Sequence, residues 1–207
     1  VTVGAEAARH LLARAVAYGA CAKLLGPTSQ GAVCGESVLR LQKSLEQLKL
    51  EDGLTHLQAF REEVETDPDG YRAEYLRVFE RGAVPPYEAS SGPNPLAGPN
   101  VMQIADVAGF YRAFGFEARG ERPDHLAAEL EFLALLCLLE ARALLGGLRE
   151  EARVCAEARR SFLQDHLLSW LPSFQEKVER ITSSPALRHL LGLTARLVQT
   201  DAVASAS

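Results

Sequence analysis

Residues 120–147, GERPDHLAAELEFLALLCLLEARALLGG, leave the chain few ways to fold. Leu126, Leu130, Leu133, Cys137 and Leu144 recur at helical spacing and make one face, while Phe132, Leu135, Leu136 and Leu139 cover much of the rest. A helix apolar on nearly every side belongs in the middle of a domain, with other helices packed around it. Pro123 and Asp124 mark its start and Gly146-Gly147 its end. Proline and acidic residues suit a helix's first turn, and glycine suits its exit.

The rest of the sequence supplies the surrounding helices. The spacing predicts a helix over 5–25, with Ala8, Leu11, Leu12, Ala15, Gly19, Ala22 and Leu25 on one face, then a loop over 26–35. A stripe of Val38, Leu41, Leu45 and Leu48 follows, a break at Asp52-Gly53, and a resumption at Leu57, Phe60 and Val64. Asp67-Pro68 is a capping residue before a proline at the first helical position. The helix it opens carries Tyr71, Tyr75, Val78 and Phe79 and stops near Gly82. Helical pattern returns over 101–114, ending at Gly115, over 150–168, again around Phe174, Val178 and Ile181, and last from Ser184-Pro185 through Leu197. Residues 202–207 read as a frayed tail. Between the two groups of helices lies 83–100, AVPPYEASSGPNPLAGPN, which holds five of the ten prolines. It cannot be regular helix, and a loop that long in a compact domain usually has a function. The expectation is an all-α fold: one globular domain over 1–207, of about eight or nine helices.

Several function classes are excluded. The longest clean apolar run, 132–139, falls far short of the roughly 20 residues a bilayer needs. Glu6, Arg9, His10 and Arg14 interrupt the place of a secretory signal's apolar region, so the expected compartment is the cytoplasm. Cys21, Cys34, Cys137 and Cys155 show no C-x-x-C spacing and are expected as reduced thiols. A net charge of −5 argues against nucleic acid and suits a cationic peptide partner. Neither a G-x-S-x-G elbow nor a glycine-rich phosphate loop is present. Arg149, Arg153, Arg159 and Arg160 interleave with Glu150, Glu151 and Glu157, the pattern of a solvated helix face. Arg159-Arg160-Ser161-Phe162-Leu163-Gln164 imitates a twin-arginine export signal, but it lies deep in the chain inside a helical pattern.

Three polar or aromatic groups remain as candidate sites. Asp124, His125 and Glu129 cluster at the start of the apolar helix, where they could form a polar rim facing a cationic or amide-bearing ligand. Equally, Asp124 could cap the helix and His125 could bond a loop. Metal binding finds only two ligands there, and zinc wants three or four. His166, Trp170 and Phe174 step by four along one face, either as core packing or as a wall of the same pocket. Tyr75, Phe79 and the Pro85-Pro86-Tyr87-Glu88 run could be core and connection, or a preformed apolar surface that binds peptide with little ordering cost.

Four segments together resemble the TorD/DmsD/NarJ family of molybdoenzyme assembly chaperones. They are Tyr75-Leu76-Arg77-Val78-Phe79 before Gly82, Pro85-Pro86-Tyr87-Glu88-Ala89-Ser90, Glu121-Arg122-Pro123-Asp124-His125-Leu126 with Glu129, and His166-Leu167-x-x-Trp170-x-x-x-Phe174. The third is the most specific. Tyr75 and Tyr87 stand where relatives often have tryptophan. The resemblance implies a TorD-like cytoplasmic chaperone and no enzyme. It implies a molybdenum-enzyme catalytic subunit and its twin-arginine leader as partners, held until molybdopterin is inserted; no cofactor, nucleic acid or membrane span of the chaperone's own is expected. Peptide binding would fall to Tyr75, Phe79, Pro85, Pro86, Tyr87, Glu88, Asp124, His125, Glu129, Phe132, His166 and Trp170. Either a monomer or a helix-swapped dimer is compatible, with 83–100 and Gly146-Gly147 as hinges. The competing expectations are a small metal-dependent hydrolase using His125 and Glu129, and a helical regulatory interaction module.

Overall fold

The computed structural model describes residues 2–26, 35–91, 100–118 and 122–206. Most of the loop expected over 26–35, residues 92–99 of the proline-rich segment, Cys34, Glu121 and Ser207 lie outside them. The α-helices are α1 (Thr2–Leu25), α2 (Gly35–Leu48), α3 (Glu51–Thr66), α4 (Pro68–Tyr75), α5 (Val101–Ala113), α6 (Leu126–Leu145), α7 (Arg149–Phe162), α8 (Leu168–Ile181) and α9 (Pro185–Ala206). No strand occurs among the described residues; an isolated antiparallel bridge joins Tyr87 to His125.

α6 lies at the centre, as its all-round apolar pattern requires. α1 and α7 pack along it, α2 covers α1, and α3 lies on α9. Buried residues from α1 through α9 merge into one core, so this is a single helical domain. Phe132 and Phe162 are wholly buried there, with rings 4.8 Å apart. Burial of each is worth about 1.5–3 kcal/mol. The α6 exterior is not fully covered, since Leu138 remains exposed. No helix among the described residues is long and apolar enough to cross a membrane.

Local chemistry explains most helix ends. Asp67 accepts a bond from the Gly70 N–H at 2.9 Å, and Pro68 opens α4 behind it. His125, not Asp124, is the cap of α6: its Nδ1 accepts from the Ala127 N–H at 3.0 Å. Gly115 takes φ 65° past the end of α5, and Gly147 takes φ 71° beyond α6. The break expected at Asp52-Gly53 falls instead at Lys49, in the left-handed region at φ 56°, and Leu50. Gly53 sits inside α3 because Leu45 lies against it; a Cβ there would stand 3.2 Å from a Leu45 methyl.

Two departures concern the shape of helices. α4 runs on through a π-helical turn, Leu76–Glu80, and α7 joins α8 through another, Leu163–Leu167. The two helices expected around 150–181 are therefore one continuous rod. π turns are rare and recur at functional sites. The expected frayed tail is also helical: α9 continues to Ala206. Asp201 holds it there, buried and bonded to the Tyr18 hydroxyl at 2.9 Å, to Arg14 Nε at 3.1 Å and to Arg159. Arg159 thus leaves the solvated face expected for it and lies buried between Asp201 and Glu140. Arg153 keeps that expectation, exposed between Glu150 and Glu157.

Candidate functional site: a groove beside a buried acidic cluster

The bridge between Tyr87 and His125 organises the candidate site. Glu88 N–H donates to the Asp124 carbonyl and Leu126 N–H to the Pro86 carbonyl, both at 2.9 Å. These bonds fasten the proline-rich segment to the first turn of α6. Pro85 and Pro86 suit this extended stretch because fixed φ and a missing N–H cost nothing in an edge-like strand. Gly82, at φ 81°, makes the preceding turn, after which Val84 N–H bonds the Val78 carbonyl at 2.8 Å.

Six of the twelve sequence-predicted residues line one groove of about 340 Å³: Tyr75, Phe79, Pro85, Pro86, Tyr87 and His125, joined by Glu80 and Gly82. Aromatic packing fixes its floor. Phe79 meets Tyr75 edge-on at 5.0 Å and stacks on Phe174 at 5.9 Å. The Tyr75 hydroxyl donates towards the Leu25 and Gly26 carbonyls at the end of α1, at 3.1 and 2.9 Å. Tyr87 meets the His125 ring edge-on at 5.0 Å.

Five more lie beneath it as a buried polar layer rather than as the exposed rim expected of Asp124 and Glu129. Asp124 and Glu129 are both fully buried. Asp124 accepts from the Ala89 N–H at 3.1 Å and takes the Arg122 guanidinium bidentately, at 2.9 and 2.6 Å. His166, carried by the second π turn, places Nδ1 at 3.0 and 3.2 Å from the Glu88 oxygens. Trp170 Nε1 donates to Glu129 at 3.2 Å. Phe132, the last of the twelve, is not at the groove: it is closed in by Tyr111, Phe114, Phe116 and Phe162.

Three carboxylates buried together cannot all be ionised cheaply. Burial first, then the Glu88 charge, pushes the Glu129 carboxyl well above its ordinary range, against a lowering by Trp170. The neutral form of Glu129 is favoured accordingly. Its Oε1 has no donor aimed at it among the described residues, as suits an oxygen that carries the proton itself. The Tyr111 hydroxyl is likewise driven up, by burial and by Glu129, Asp124 and Glu88, and stays protonated to donate to the Pro123 carbonyl at 2.7 Å. His166 Nε2 also lacks a bonded partner and faces the exposed Asp106 carboxylate at 3.7 Å.

The hydrolase reading finds no support in this geometry. His125 spends Nδ1 on the α6 cap while Glu129 turns inward to Trp170. Among the described residues no group of three or more His, Cys, Asp or Glu is placed to hold a metal ion. Cys21, Cys137 and Cys155 are buried thiols, and burial pushes Cys21 up to about 12. Sequence reasoning missed Arg122, Tyr111 and Asp106. Arg122 stood inside the quoted motif beside Pro123-Asp124; the other two carried no signal beyond helical spacing.

The family model described as nitrate reductase delta subunit matches residues 44–176, well over half the chain. The chain belongs to that family. The match covers every residue lining the groove and the whole acidic layer. Among curated proteins it is similar to the selenate reductase assembly chaperone protein of Thauera selenatis, 39% identical over 58% of this chain and 65% of that one. It is also similar to the chlorate reductase assembly chaperone protein of Ideonella dechloratans, 37% identical over 52% of this chain and 56% of that one. The perchlorate reductase assembly chaperone protein of Dechloromonas aromatica is 32% identical, over 63% and 59%. The chain thus spans less than two thirds of the length of each of these relatives. No solved structure matches it.

Proposed function

We propose that this delta-subunit family member is a cytoplasmic assembly chaperone, not an enzyme. It binds the twin-arginine leader, the apo form, or both, of a molybdenum oxidoreductase catalytic subunit, and holds that client until molybdopterin is inserted. The observation that carries the reading is the preformed aromatic and proline groove placed directly over a buried acidic layer. A leader combines two arginines with an apolar stretch. Tyr75, Phe79, Pro85, Pro86 and Tyr87 offer apolar surface for the stretch, and the Asp124 and Glu88 carboxylates offer charge-assisted bonds for guanidinium groups. Three relatives named as assembly chaperones of reductases support the chaperone class.

Titration calorimetry against a synthetic leader tests this. The leader is taken from the molybdoenzyme encoded beside this chain, next to a version with both arginines changed to alanine. Saturable binding that weakens by at least about tenfold with the altered peptide is expected, since two charge-assisted pairs are lost. Equal binding of both peptides removes the arginine-recognition part of the reading. Binding of neither, together with failure to capture the full-length client, overturns it.

A further inference from the structure

The guanidinium of Arg122 already sits where an arginine of a bound peptide would be recognised. It forms the bidentate pair with Asp124 and lies over the Tyr87 ring, 4.2 Å from the centroid. A flat cation held by a carboxylate fork and an aromatic face is how proteins select arginine over lysine. The carboxylate is wholly buried, whereas the Arg122 side chain keeps 37% of its exposure. Tyr87 and the neighbouring His125 are themselves groove-lining residues, so this pair borders the apolar surface directly.

We infer that Asp124 and Tyr87 form a guanidinium-binding subsite that Arg122 fills in the resting protein, and that a client arginine binds by displacing Arg122. This rests on the leader-binding reading and adds its regulation: the chain carries its own competitor. The physical need is plain. A buried carboxylate left without a cation is costly, so an empty site would destabilise the free chaperone. Exchanging one guanidinium for another keeps Asp124 paired throughout. Discrimination follows as well, because a peptide lysine would have to displace a forked, stacked arginine with a point charge.

The test compares the wild type with Arg122→Ala and Arg122→Lys. Two probes are used: a di-arginine peptide with its di-lysine counterpart, and N-methylguanidinium chloride against sodium chloride of equal ionic strength. If Arg122 fills the subsite about nine-tenths of the time, its removal raises the apparent affinity for the di-arginine peptide by about tenfold. The di-lysine peptide gains much less. Millimolar methylguanidinium raises the melting temperature of Arg122→Ala and shifts the wild type much less. Arg122→Lys, which keeps a cation near Asp124, folds even if the alanine variant does not, and shows a smaller gain of the same sign. A folded Arg122 variant that binds the di-arginine peptide no more tightly than wild type, and is not stabilised by methylguanidinium, overturns the inference. The two readings separate cleanly. Methylguanidinium rescue without any peptide binding keeps the subsite and sinks leader recognition. Equal peptide binding by all three proteins without rescue keeps recognition and sinks the subsite.

Discussion

Glu129 shows how a single side chain can set the behaviour of the polar layer. Its carboxyl is raised by burial and by the Glu88 charge, so the folded protein holds a proton that the unfolded chain releases near the ordinary value of 4.5. The sign follows from linkage. Below that value both states are protonated and no penalty exists; as pH rises, the unfolded state gains by ionising and the fold loses stability until the folded group also titrates. Glu129→Gln keeps the shape, offers an oxygen to Trp170 Nε1 and an amide hydrogen to Glu88, and cannot ionise. The variant's melting temperature should therefore gain on the wild type as pH rises from 4.5. In a domain of this size about 1 kcal/mol moves the midpoint by roughly 2–4 °C, so a gap widening by at least ~2 °C by about pH 7 is expected. A gap that stays constant with pH would mean that Glu129 is ionised in the fold. Trp170, the only tryptophan, reports the same transition by its emission.

At the scale of elements, helix ends were legible wherever the end is made by local chemistry. Asp67-Pro68, Gly115 and Gly146-Gly147 all act within a few residues of themselves, and the structure places helix ends at each. Ends set by tertiary contact were not legible. Gly53 looked like a breaker, but Leu45 needs the room it leaves. Neither π turn was legible: each shifts the helix face by one residue's rotation, about 100°, inside a stretch only five residues long. The Asp67 cap offers a test of how local this control is. A Cβ at Gly70 would fall 2.0 Å from Asp67 Oδ2, so Gly70→Ala must push the capping carboxylate away. The single change trades a cap worth about 1 kcal/mol against a helix-propensity gain of about 1 kcal/mol, for little net effect. With Asp67 already alanine no cap remains to lose, and the same change should stabilise by about 1 kcal/mol. Denaturant unfolding of the four proteins checks this. Identical effects of Gly70→Ala in both backgrounds would show that the cap carries no energy.

The whole molecule depends on pairings whose sequence separations no local reading can bridge. Periodicity showed that α1, α6, α7 and α9 exist and which one is central, but not that Tyr18, Arg14, Glu140, Arg159 and Asp201 would meet between them. The candidate site divides the same way. Its residues were legible as motifs, each within a short stretch, whereas their sorting into groove, buried layer and aromatic core depended on how three distant segments dock. Arg153 and Arg159 make the limit concrete. They lie on one helix, are the same residue type among the same acidic neighbours, and looked alike in the sequence. One is exposed between Glu150 and Glu157; the other is buried and joins α7 to α6 and α9. Arg159→Met removes the cation that joins carboxylates of two helices and leaves Asp201 leaning on Arg14 and Tyr18. Breaking a buried pair from one side costs about 3–5 kcal/mol. Arg153→Met removes contacts that water and salt already screen, so its midpoint should stay within about 1 °C of wild type. Thermal unfolding of both variants at one pH and salt concentration measures the contrast. Equal, small effects would place Arg159 at the surface and detach α9 from the core, whereas a large loss confined to Arg159→Met ties the last helix to the one at the centre.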